Sequence, residues 1–130
     1  MHGHEKQDEN VLVHWTYTRD EWKRYLRWKK WKKGPLHYIL HYLNPAGQHP
    51  APEIKITPER VWIGDTHQHF NNDDHQIKNV DVRDEGRLNI LEITYEKINS
   101  KKTGFDEIRI PVPKGKIREA IEVQERLFRM

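Results

Sequence analysis

Glu53–Gly64, EIKITPERVWIG, is the stretch on which the fold turns. It reads as two short strands, EIKIT and RVWIG, joined at Thr57-Pro58-Glu59. Downstream, His67–Phe70, Ile77–Val82, Leu88–Ile98 and Phe105–Val112 are further strand candidates. Leu88–Ile98 (LNILEITYEKI) is the strongest, being rich in β-branched and aromatic residues. Asp84-Glu85-Gly86 and Asn99–Gly104 (NSKKTG) read as turns, and Pro111 and Pro113 stop the last strand. Ile117, Ala120, Ile121, Gln124, Leu127 and Phe128 then share one stripe of a closing helix.

Upstream, Asn44–Pro52 (NPAGQHPAP) has the composition of a linker or long turn. Leu36–Leu43 alternates as a strand would, with a short buried helix as the rival. Before it, Thr18-Arg-Asp-Glu21 matches a capping box, with Tyr17 and Trp22 placed to close over the helix start. Trp22, Tyr25, Leu26 and Lys29 form one helical face, Trp15, Trp28 and Trp31 add aromatic surface around it, and Gly34-Pro35 ends the run. Three parts are expected: a flexible segment 1–14, a basic Trp-rich helix 15–34, and a domain 35–130. The order of helix, six or seven short antiparallel strands and helix makes an α+β chain. Arg60–Val112 should form an antiparallel sheet or partly open barrel, with Gly115–Phe128 packed across one open end.

At 130 residues the chain fits one domain with a short appendage. A chain of this size buries roughly two-thirds of its unfolded surface and needs no metal or disulfide to fold. Cysteine is absent, which excludes thiol catalysis and thiolate metal sites. The net charge of +3 is unevenly placed: residues 1–50 carry +4 and residues 51–130 carry −1. Met1–Asn10 is polar and lacks the apolar core of a signal peptide, and no apolar run approaches the about 20 residues of a bilayer span. The expected location is cytoplasmic, with the inner face of the membrane open as an attachment site.

Three segments carry a family resemblance: Ile54–Gly64, Ile77-Lys-Asn-Val80, and Ile110-Pro-Val-Pro-Lys-Gly115 leading into the last helix. Through them Glu53–Phe128 resembles the bacterial pleckstrin-homology-like (PH-like) domains. The resemblance implies about seven strands with a C-terminal capping helix, here with an additional N-terminal helix. It also implies a scaffold that binds peptides, lipids or its own copies. Trp15-Thr-Tyr-Thr-Arg-Asp-Glu-Trp22 is similar to segments of membrane-associated proteins of this type. Eukaryotic PH domains that bind phosphoinositides use Lys and Arg around the first hairpin loop. Here that loop, Thr57-Pro58-Glu59, is short and acidic between Lys55 and Arg60, so the lipid-binding pattern is not met.

Seven cations fall within Lys23–Lys33, interleaved with Trp22, Tyr25, Trp28 and Trp31. Lys23, Arg24, Arg27, Lys30 and Lys33, with Trp28 and Trp31, are the candidate anionic-surface residues. Aromatic rings and cations in this pattern suit a bilayer interface with anionic head groups. They also suit stacked bases and phosphates, or a helix that packs its rings and solvates its cations. His67, His69 and His75 lie within nine residues beside Asp73 and Asp74, a set competent for Zn, Ni or Cu. Their spacing matches no ligand signature, and Asn-Asn-Asp-Asp is ordinary turn chemistry, so no metal is assigned. Ser100 is the only serine, in a Lys-rich turn, and no glycine-rich phosphate loop is present. No catalytic residue or cofactor is assigned. The reading is a non-enzymatic PH-like binding or adaptor domain whose ligand is a protein partner or an anionic membrane surface, with homo-oligomerisation open. A nucleic-acid module using the basic helix is the alternative, and a metal protein or enzyme built on His67, His69 and His75 comes third.

Overall fold

The computed structural model describes residues 10–31, 51–98 and 104–128. Seven strands and two helices follow in the order β1 (Val13–Trp15), α1 (Arg19–Trp31), β2 (Ile54–Ile56), β3 (Arg60–Ile63), β4 (Thr66–His69), β5 (His75–Asp84), β6 (Asn89–Lys97), β7 (Gly104–Val112) and α2 (Ile117–Phe128). Leu36–Leu43, the turn at Asn99–Thr103, and all of Asn44–Pro52 except Ala51 and Pro52 lie outside the described residues.

The strands form two antiparallel sheets, β1-β2-β3-β4 and β5-β6-β7, and neither closes into a barrel. Alternation sets the register. Ile54 and Ile56 face Ile63 and Val61, and all four point into the core. Thr57 closes the hairpin by itself, its hydroxyl accepting from the Glu59 and Arg60 N–H groups. In the second sheet Leu91 pairs with Ile110 and Ile93 with Ile108. These residues meet Trp15, Ile54, Ile56 and Ile63 between the sheets. A bulge between Ile77 and Asn79 shifts the β5–β6 pairing, leaving Lys78 without a partner in the register.

Two expectations change. The sequence places segment 1–14 and the 15–34 helix outside the domain, but Val13–Trp15 is the first strand of a sheet and pairs with Ile54–Ile56. Trp15 therefore belongs to the core, not to the aromatic surface of the helix. Three residues are too few for a period-two signal to stand out. The second change is a rotation of α2. Ala120 and Leu127 of the expected stripe are buried and Val123 joins their line, whereas Ile117, Ile121 and Phe128 are exposed, Phe128 by 54%. Ala120 has almost no side chain, so this line lets α2 approach the sheets closely, while Gln124 Nε2 donates to the Val80 carbonyl at 2.9 Å.

Helix α1 covers the opposite face of the second sheet. Trp22 and Tyr25 pack on Ile90, with Leu26, Trp28 and Leu88 around them. The molecule thus has three layers (a four-stranded sheet, a three-stranded sheet and α1), with α2 plugging into the core between the sheets. Trp15 ties the first strand to that plug, donating from Nε1 to Glu119 Oε1 at 3.0 Å. Trp15→Ala should cost about 3–5 kcal/mol in chemical denaturation, the range for truncating a buried aromatic side chain. A loss below about 1 kcal/mol would place Trp15 outside the core.

Candidate functional site

The site is built from the start of α1. The capping box forms as the sequence implies: Glu21 N–H donates to Thr18 Oγ1 at 3.1 Å, and Thr18 N–H donates to Glu21 Oε1 at 2.8 Å. The second Glu21 oxygen accepts the Lys114 N–H at 2.6 Å, so one carboxylate joins the helix start to the β7–α2 connection. Burial pushes Glu21 upward, but the Thr18 and Lys114 hydrogen bonds and the Arg24 charge together hold it below the ordinary carboxylate range.

The face of α1 toward the sheet is a run of rings. Tyr17, Trp22, Tyr25 and Trp28 follow one another with centroids 5.3, 5.1 and 5.9 Å apart. Their polar tips are anchored in the body. Tyr17 and Tyr25 hydroxyls donate to the Pro111 and Arg109 carbonyls at 2.7 and 3.0 Å, and Trp28 Nε1 donates to Glu85 Oε1 at 3.3 Å. Lys23 and Arg27 are exposed to solvent, and Arg24, also exposed, lies beside Glu21 at the first turns. Lys30 and Trp31 fall in the last turn of α1, and Lys33 lies outside the described residues.

At the first turns of α1 the surface sinks into a cavity of about 340 Å³, walled also by the β5–β6 turn and the β7–α2 connection. Arg24, Arg87 and Lys114 line it, and among the described residues Glu21 is the only acid in its lining. Among the described residues, none of these three cations forms an ion pair. The cations of the second sheet do: Lys78 with Glu96 at 3.3 Å, Lys97 with Asp106 at 2.8 Å, and Arg109 with Glu92 and Glu107 at 2.9 and 2.8 Å. Arg87 and Lys114 escaped sequence reasoning because they are far from Arg24 in the chain. The one local signal is that each adjoins a glycine with left-handed backbone, Gly86 at φ 90° and Gly115 at φ 81°, which marks tight turns and exposed neighbours.

The histidines are divided. His67 and His69 share the outer face of β4 with ring centroids 5.0 Å apart, and His67 stacks on Trp62 at 4.5 Å. His75 opens β5 in the other sheet, with Nδ1 2.9 Å from Asn72 Oδ1. Arg60 lies 4.8 Å over the Trp62 ring and 3.4 Å from His67 Nδ1. Burial first, then the His67, Arg60 and His75 charges, lower the His69 pKa against the opposing Glu59, so His75 is near enough to act on His69 although it lies in the other sheet. Among the described residues no three His, Asp or Glu side chains are grouped to hold a metal ion, and no helix is long and apolar enough to cross a membrane.

Lys29 breaks the simple division of α1 into rings and solvated cations. It is only 4% exposed, and among the described residues its Nζ has no hydrogen-bond acceptor. Burial, and secondarily the Arg109 charge, lower its pKa from 10.5 to about 8. The unfolded chain therefore holds this proton more tightly, and Lys29 makes stability rise with pH from about 8 to about 10.5. Tyr17 and Tyr25, held above the tyrosine range first by burial, act in the opposite sense once unfolded tyrosine ionises. Lys29→Met removes the one contribution and leaves the other. It should be more stable than the parent near neutral pH, with the advantage shrinking toward about pH 10. Urea denaturation of both proteins at the two pH values checks this.

Comparison of the chain with protein families, curated proteins and solved structures found no match to any of them, so its chemistry stands on these residues alone.

Proposed function

We propose that the chain is a PH-like binding module without enzymatic activity, which attaches reversibly to an anionic membrane surface through the solvent side of α1. Seven antiparallel strands in two sheets, with a C-terminal helix entering the core, support the PH-like reading. The observation that carries the binding reading is the exposed pair Lys23 and Arg27, with Arg24 at the cavity edge beside them, on a helix whose rings are already docked. With Trp22 and Tyr25 buried and Trp28 bonded to Glu85, the attraction among the described side chains is electrostatic. Each cation near an anionic leaflet contributes about 1 kcal/mol, fading over about 10 Å at 0.1 M salt.

Co-sedimentation with phosphatidylserine-containing vesicles should show binding at low salt that is lost at high salt, and none with phosphatidylcholine alone. Lys23→Glu combined with Arg27→Glu should lower partitioning by at least about thirtyfold, with unchanged circular dichroism because both side chains are exposed. Equal partitioning of parent and variant would overturn the reading. Tighter binding to single-stranded DNA than to vesicles would replace it with a nucleic-acid module.

A further inference from the structure

We infer that the cavity at the first turns of α1 is a binding site for a phosphate group carried on a short apolar body. This deepens the membrane reading and rests on it for the source of the ligand. Three observations meet at the cavity. Arg24, Arg87 and Lys114 line it with no ion pair among the described residues, although the cations of the neighbouring sheet are paired. Among the described residues the only acid in the lining, Glu21, has one oxygen on the Thr18 N–H and the other on the Lys114 N–H, so it is held within the wall. The remaining lining is largely apolar: Leu88, Pro111, Val112 and Ile117, with the Tyr17 ring.

The three cations answer to an anion of more than one charge, and guanidinium forks suit the several oxygens of a phosphate. The apolar lining answers to carbon attached to that phosphate. Ile117 is 39% exposed, a large apolar side chain that such a body would cover. The volume of about 340 Å³ falls at the small end of ligand sites, enough for a head group and the first carbons behind it. The lining takes no residue from the first hairpin turn, where the Thr57 hydroxyl already takes two backbone N–H groups.

The test uses soluble probes on the full chain: dihexanoyl phosphatidic acid below its micelle point, dihexanoyl phosphatidylcholine and inorganic phosphate. Heteronuclear NMR should show the phosphatidic acid shifting the backbone amides of Leu88, Lys114 and Gly115. Arg87→Ala combined with Lys114→Ala should weaken binding at least about tenfold, the loss for a hydrogen bond to a charged group, while Lys23→Ala with Arg27→Ala should leave it unchanged. Inorganic phosphate binding as tightly would overturn the apolar part and make free phosphate the ligand. Equal binding of the phosphatidylcholine would overturn the requirement for net negative charge. Absence of shifts at the named amides, or an unchanged double variant, would overturn the site. The two readings separate cleanly. If only the Lys23/Arg27 variants lose vesicles and the soluble lipid does not bind, the surface reading stands and the pocket falls; the converse pattern leaves the pocket alone.

Discussion

Strand β6 has almost no solvent side over its first half, and this constraint organises the molecule. Leu91, Ile93 and Tyr95 enter the core between the sheets, while Ile90 on the opposite face meets Trp22 and Tyr25 of α1. Glu92 lies on that same face and is only 7% exposed. A buried carboxylate is costly unless paired, and here Arg109 Nε lies 2.9 Å and Arg83 Nη1 3.4 Å from its oxygens, both from neighbouring strands. The helix that covers β6 thus also sets which cations are engaged. Arg83 and Arg109 neutralise Glu92, and the basic character left for a ligand sits at the edge of the covered sheet.

The charge cluster in the first half of the chain looks uniform when counted. In space it is not. Lys29 is drawn beneath the helix while Lys23, Arg24 and Arg27 remain outside. Rings at 22, 25 and 28 fix the buried line, and position 29 falls beside it, so the long side chain of Lys29 follows the rings inward. A count of cations therefore overstates the solvent charge of α1 and hides the group whose burial opposes docking.

Local patterns were legible and distant juxtapositions were not. The EIKITPERVWIG hairpin, the long LNILEITYEKI strand and the Thr18–Glu21 cap each carry their signal within a few residues, and each forms close to the expected bounds. The first strand is only three residues long, and its partner lies beyond α1, so nothing local marks it. On α2 the apolar residues cover two adjacent lines. Periodicity alone gave Ile117, Ala120, Ile121, Gln124, Leu127 and Phe128 as one stripe. Ala120 and Leu127 are buried as expected, and the close approach allowed by Ala120 adds Val123 and leaves Ile117, Ile121 and Phe128 outside. Arg24, Arg87 and Lys114 come together through the docking of α1, in which Glu21 ties the helix start to the β7–α2 connection and Tyr17 donates to the Pro111 carbonyl.

Trp15 and Ile54 stand opposite each other in the sheet, with α1 between them in the chain. The helix therefore belongs to a loop whose two ends are fastened by strand pairing, not to a free arm. Such a tether keeps the local concentration of α1 over its docking face high even when the contact opens, and re-docking is an intramolecular event of modest entropic cost. A surface that captured the helix would hold the whole domain with it. Removing α1 by trimming from the N-terminus would also strip the four-stranded sheet of its first strand.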